Sequence, residues 1–264
     1  MAGRTIVVTS GKGGVGKTTT VANIGTALAK KKHSVVLIDG DIGLRNLDVV
    51  MGLENRIVYN LVDIIEGRCR KEQAMIRDRK LGNLCIIPAA QTRDKDSVQP
   101  EQMKRLCEEL AEEFDYVFID CPAGIEQGFK NAVAGAQLAI VVTTPEVSAI
   151  RDADRVIGLL EASMLRDVHL IVNRLNDRMV KKGDMMSTED IVALLAIPLL
   201  GIVPESEDVV VSTNRGVPLV HDRSSRAGAA FQGIAARLNG EDVPVHNGRE
   251  LGFRDFFRKL FTGQ

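Results

Sequence analysis

The sequence predicts an α/β protein: a doubly wound, mostly parallel sheet of about seven to eight strands with helices on both faces. Three observations carry that expectation. Short β-branched apolar runs alternate with segments at helical spacing along most of the chain, the pattern of a parallel sheet buried on both faces. A glycine-rich loop follows the first run and opens the first helical segment, and two further runs close on an aspartate. In such a sheet ligands lie beyond the carboxyl ends of the strands, so the polar residues after each run are the ones that carry chemistry.

The first run, Ile6 to Thr9, leads into Gly11-Lys12-Gly13-Gly14-Val15-Gly16-Lys17-Thr18, a loop of the form G-x-x-x-x-G-K-[ST]. Its four glycines remove the Cβ atoms that would keep successive backbone N–H groups from curling around a phosphate. The helix behind them, starting near Thr19 and running to Lys31, adds partial positive charge at its N-terminus. Lys17 is then placed to reach β- and γ-phosphates, and the Thr18 hydroxyl to ligate Mg²⁺. Lys12 is a second lysine that a single nucleotide does not need. It is either a solvated loop charge or a group with a separate electrostatic target, and the loop alone leaves both open.

The second strand, Val35 to Asp39, opens a stretch dense in carboxylates and glycine, from Asp39 and Asp41 to Asp48, where a backbone can approach a phosphate and its metal. Leu84 to Ile87 is the third strand. Tyr116 to Asp120 closes on a carboxylate, the Walker B arrangement that holds Mg²⁺ through its waters. Ala139 to Thr143 leads into a helix from about Ser148 to Glu161, with Arg151, Asp152, Asp154 and Arg155 on its polar side. Leu170 to Val172 ends in Asn173-Arg174, and Leu199 to Val203 ends in Pro204-Glu205. Both ends are in position to reach a base or ribose, and both are compatible with ordinary loop chemistry. An Ala-rich helix from Ala227 to Leu238 closes the globular part, with Asn239-Gly240 as its stop, so residues 1–239 form one domain.

Composition narrows the partners. The 264 residues are 45% hydrophobic with a net charge of −1, so no global field draws the chain to nucleic acid. No Trp and two Tyr leave few stacking platforms for single strands. The four cysteines form no C-x-x-C pair, which argues against zinc or a disulfide framework and for free thiols in a reducing compartment. The chain starts close to its first strand, without a signal peptide, and no apolar run reaches the ~20 residues of a membrane span.

The C-terminal stretch changes character. A polar linker, residues 240–248, precedes a segment, 249–264, in which Phe253, Phe256, Phe257, Leu260 and Phe261 fall on one helical stripe. Arg254, Arg258 and Lys259 lie off the stripe, where they would meet anionic head groups while the phenyl rings enter the acyl boundary. A terminal helix docked on the core is the competing reading; the linker and the terminal position favour a membrane-targeting helix.

Taken together, the two-lysine loop from Gly11 to Thr18, the run Ile38-Asp39-Gly40-Asp41-Ile42-Gly43-Leu44-Arg45-Asn46-Leu47-Asp48, Asp120-Cys121-Pro122-Ala123-Gly124 and the basic-aromatic tail closely resemble the MinD members of the ParA/MinD family of deviant Walker A ATPases. The resemblance covers nearly the whole chain. It implies an Mg²⁺-dependent ATPase with ATP and Mg²⁺ as cofactors, and an ATP-state homodimer in which Lys12 crosses to the partner's phosphates. It also implies that Asp41 positions the attacking water, that Asp39 sits in a switch region near the dimer contact, and that Asp120 holds Mg²⁺. Asn173 and the loop from Pro204 to Glu205 would contact adenine, with Val15, Thr18 and Thr19 among the residues around the phosphates. The partners implied are the division inhibitor MinC, the activator MinE, whose footprint would include the helix bearing Asp152 and Asp154, and an anionic phospholipid surface. Location would be the cytoplasm and the cytoplasmic face of the inner membrane, or the plastid stroma as its equivalent. Two rivals predict other features. A partition-type ATPase on nucleoid DNA would show a basic surface patch in place of the tail, and a small-molecule ligase of the dethiobiotin synthetase kind would show a substrate pocket and give the tail no role.

Overall fold

The computed structural model describes residues 2–93 and 97–245. The expected membrane helix, with Phe253, Arg254, Phe256, Phe257, Arg258, Lys259, Leu260 and Phe261, lies outside the described residues. Among the described residues eight strands form one sheet: β1 (Arg4–Thr9), β2 (Val35–Asp39), β3 (Ile76–Arg77), β4 (Leu84–Ile87), β5 (Tyr116–Asp120), β6 (Leu138–Thr143), β7 (Val168–Leu175) and β8 (Leu199–Pro204). Their spatial order is β3-β4-β2-β5-β1-β6-β7-β8. All pairs are parallel except β3 with β4, where Ile76 faces Ile86 and Arg77 faces Cys85. The seven parallel strands are the seven runs visible in the sequence. The edge strand β3 was not, because two residues carry no periodicity and its pairing depends on the tertiary position of the chain beside β4.

The helices are α1 (Lys17–Lys30), α2 (Leu47–Val50), α3 (Leu61–Ile65), α4 (Lys71–Ala74), α5 (Pro100–Glu113), α6 (Gln127–Ala134), α7 (Val147–Ala162), α8 (Asp177–Lys182), α9 (Thr188–Leu195), α10 (Asp208–Asn214) and α11 (Arg226–Leu238). Successive strand residues point to opposite faces, and two cores result. Val7, Ile38 and Ile119 join Leu106 and Leu110 of α5 with Val156 and Leu160 of α7 on one side. Ile6, Val8, Leu37 and Phe118 join Ile24 and Leu28 of α1 with Phe231 and Ile234 of α11 on the other. Each large apolar side chain so buried contributes about 1.5–3 kcal/mol. The close seating of α1 on β2 depends on Gly25, where a Cβ would come within 2.5 Å of Leu37 Cδ2.

β1 lies at the centre of the sheet, between β5 and β6. Chain connections diverge to either side of it, which makes the space beyond its carboxyl end the expected ligand crevice of a doubly wound fold. The glycine-rich loop occupies that position. α11 ends at Leu238, with Asn239 as its C-cap and Gly240 at φ 84°, and residues 241–245 follow as irregular chain.

Candidate active site

The loop from Gly11 to Thr18 takes its shape from backbone conformations that only glycine adopts without strain. Gly14 and Gly16 have φ of 76° and 101°, the left-handed region. At Gly11 the constraint is proximity, since a Cβ would lie 2.2 Å from the backbone oxygen of Asp152 on α7. Lys17 is buried; its Nζ donates to Ser10 Oγ at 3.0 Å, and Ser10 Oγ in turn donates to the Lys12 carbonyl at 2.7 Å. The ammonium is therefore held at the loop's floor before any phosphate arrives.

Two carboxylates meet beneath it. Asp39 ends β2 and Asp120 ends β5, and the register sets them side by side. The Thr18 hydroxyl hydrogen-bonds the Asp120 carboxylate, whose pKa is pushed up first by burial and then by the charge of Asp39. Asp120 Oδ1 has no hydrogen-bond partner. A buried, unpartnered carboxylate oxygen beside a threonine hydroxyl fits the waters of a bound Mg²⁺, which takes few protein ligands and completes its octahedron with water and phosphate. Accordingly, among the described residues no three His, Cys, Asp or Glu side chains are set to ligate a metal by themselves.

Asp39, expected in a switch region near a dimer contact, lies at the end of β2 at the foot of the loop that leads to Asp48. It is fully buried, and its carboxylate accepts from the backbone N–H of Asp41 at 3.0 Å, Asn46 at 3.1 Å and Leu47 at 3.1 Å. Burial raises its pKa and these three donors oppose the rise. Asp39 thus shapes the loop that carries Asp41, while Asp41 itself is half-buried at the mouth of the site. Farther along this loop Asp48 is fully buried with Arg45 Nε at 3.0 Å.

Lys12 projects from the rim and pairs within its own chain, with Glu146 Oε2 at 2.8 Å and Ser148 Oγ at 3.2 Å. Both partners of this ion pair are well exposed, so it contributes at most about 1 kcal/mol and is readily exchanged. Asp152 and Asp154 lie on the same helix α7, Asp152 half-buried and Asp154 exposed. The sequence signalled the charges of this helix; that its first turn holds Lys12 is a tertiary fact.

The residues expected to contact the base lie at the ends of β7 and β8. Asn173 donates from Nδ2 to the Val15 carbonyl at 2.7 Å, so its amide already serves the loop. Pro204 ends β8, and Glu205 accepts from Asn176 Nδ2 at 2.8 Å, tying the two strand ends together. Thr19 lies in the first turn of α1, where its carbonyl accepts from Asn23. Ser10, Glu146 and Arg174 also reach the loop. Arg174 carried a positional signal in the sequence as part of a strand end, and the contacts of Ser10 and Glu146 with the loop lysines became visible only in the structure. All four cysteines are free thiols, and no described helix is long and apolar enough to cross a membrane.

Comparison with known proteins agrees with this geometry. The profile of the CobQ/CobB/MinD/ParA nucleotide binding domain matches residues 6–219. The septum site-determining protein MinD of Synechocystis is 58% identical over 242 residues, covering 91% of each chain. Among solved structures, the MinC:MinD cell division protein complex of Aquifex aeolicus superposes with a TM-score of 0.86 at 49% identity, over 92% of this chain and 98% of that one. MinD from Pyrococcus horikoshii, complexed with Mg-ADP, gives a TM-score of 0.81 at 28% identity, over 89% and 96%.

Proposed function

The chain belongs to the CobQ/CobB/MinD/ParA nucleotide-binding family, among its MinD members, and from that premise we propose an Mg²⁺-dependent ATPase that dimerises on ATP, associates with an anionic membrane and places the division site. MinC is its recruited inhibitor and MinE its activator. The likeness to a MinC:MinD complex supports the first partner, and the name shared with MinD relatives supports the division role. The observation that carries the reading is the convergence of Lys17, Thr18 and the unpartnered Asp120 oxygen beneath a left-handed glycine loop.

Each residue has a physical task in this reaction. Backbone N–H groups of the loop bind the phosphate oxygens, and Lys17 neutralises the β- and γ-phosphates. Thr18 and Asp120 would hold Mg²⁺, which would supply positive charge to offset the negative charge developing on the phosphates. Asp39 fixes the loop so that Asp41 faces the γ-phosphate and orients water. Lys12 leaves Glu146 for the phosphates of a second protomer, which completes the site only in the dimer. Residues 1–239 are the ATPase domain, 240–248 the linker and 249–264 the membrane helix.

The test is ATP turnover with anionic vesicles and MinE. Asp41→Ala retains ATP binding and loses stimulated turnover, and vesicle sedimentation of the parent is stronger in ATP than in ADP. Turnover by Asp41→Ala equal to the parent removes its assigned role. Equal sedimentation in the two nucleotides removes the link between dimer and membrane.

A further inference from the structure

A bulge in β7 carries two side chains that hydrogen-bond carbonyls of the phosphate loop. β7 and β8 shift register once between Leu170 and Ile171, pair at Ile171 with Gly201 and at Val172 with Ile202, shift again, and rejoin at Leu175 and Pro204. Asn173 and Arg174 occupy the irregular stretch, with Arg174 in the left-handed region at φ 57°. Bulges of this kind re-aim side chains beside functional sites. Here both are turned back onto the loop: Arg174 Nη2 donates to the Gly14 carbonyl at 2.8 Å, and Asn173 Nδ2 donates to the Val15 carbonyl at 2.7 Å. Asn173 Oδ1 also accepts from the Arg174 N–H at 2.9 Å, which locks the two residues to each other.

In a planar trans peptide the C=O and the following N–H point in opposite directions. Drawing the Gly14 carbonyl toward Arg174 therefore turns the Val15 N–H the other way, and drawing the Val15 carbonyl toward Asn173 does the same for the Gly16 N–H. Gly14 and Gly16 have no Cβ and no strong preference of their own, so without the clamp these peptides would sample several orientations. The backbone cost at Arg174, a non-glycine residue with φ 57°, is the kind of strain that persists where surrounding structure requires it. Arg174 also lies within electrostatic reach of Glu146 and helps hold its carboxyl below the usual range, after the larger effect of Lys12.

We propose that Arg174 is a positioning residue for the phosphate cradle, acting through the Gly14 carbonyl so that consecutive loop N–H groups face the β-phosphate. Its role is thus distinct from contact with base or ribose. The inference rests on the nucleotide-binding reading, and the experiment separates the two.

Binding of ADP and of inorganic pyrophosphate, both with Mg²⁺, is measured by calorimetry for the parent, Arg174→Gly and Arg174→Lys. Glycine suits a φ of 57°, so Arg174→Gly removes the guanidinium without straining the fold, and the unfolding midpoint of the nucleotide-free variant stays at or above the parent's. The expected result is a roughly tenfold or larger loss of affinity for ADP and pyrophosphate alike, the scale of a hydrogen bond from a charged donor. The loss persists at about 0.5 M salt because the acceptor is a neutral carbonyl at 2.8 Å, inside the Debye length at that salt, and Arg174→Lys recovers part of it. A loss confined to ADP, a loss that vanishes at high salt, or affinities within twofold of the parent each overturn the proposal. A parent that binds no ADP overturns the nucleotide reading instead.

Discussion

In the proposed dimer Lys12 would take two partners in turn. Its ammonium sits 2.8 Å from Glu146 in the single chain, and the weakness of that exposed pair would favour transfer to a partner's triphosphate. Lys12→Ala is accordingly expected to bind ATP with parental affinity and to remain monomeric by light scattering; ATP-dependent dimers of the variant would return Lys12 to an ordinary surface role. Asp120 yields a pH prediction. Burial and the neighbouring Asp39 raise its pKa in the folded, nucleotide-free protein, so between the ordinary carboxylate range and the raised value the folded state holds more protons than the unfolded one. Stability is then lost as pH rises through that window. Asp120→Asn removes the titration, and its stability advantage over the parent should grow between about pH 5 and pH 8, read as the difference in thermal midpoints without nucleotide. A pH-independent difference would show that Asp120 carries no raised pKa.

At the scale of elements, the glycine loop is held between two neighbours: α7, whose Asp152 backbone leaves no room for a Cβ at Gly11, and the β7 bulge with Asn173 and Arg174. The other face depends on α11 closing over α1. Phe231 is almost fully buried there among Ile24, Leu28 and Val220, and Phe231→Ala should cost about 3–5 kcal/mol in denaturant unfolding. Because α1 begins at the phosphate loop, the same variant should gain more thermal stability from Mg²⁺ and ADP than the loop variant Lys17→Ala, which should gain none. The strands were legible because β-branched runs bounded by turns mark buried parallel strands. The bulge was not, because register shifts arise from how two distant segments meet, and nothing in Asn173-Arg174 alone distinguishes a clamp on the loop from a contact with a base.

For the whole molecule, the proposed division is an ATPase body followed by a lipid-seeking tail. Phe256→Glu is expected to release the protein from anionic vesicles while ATP-dependent dimerisation continues. A chain ending at Val245 should keep the parental thermal midpoint, and a marked fall in that midpoint would favour the docked-helix reading. In the proposed dimer two tails would supply an avidity of about 10²–10⁴ over one, which would tie location to nucleotide state. The sequence by itself determined the α/β class, the seven parallel strands, the phosphate loop with Lys17 and Thr18, and the strand-terminal Asp39 and Asp120, because each is written in local periodicity or in a motif whose spacing the chemistry requires. Only the tertiary structure decided that Asp39 is spent on backbone N–H groups, that Lys12 pairs with Glu146, and that Asn173 and Arg174 grip the loop. Those contacts join residues more than a hundred positions apart or depend on burial, and the physical cause in each case is the packing of whole elements, which no local pattern records.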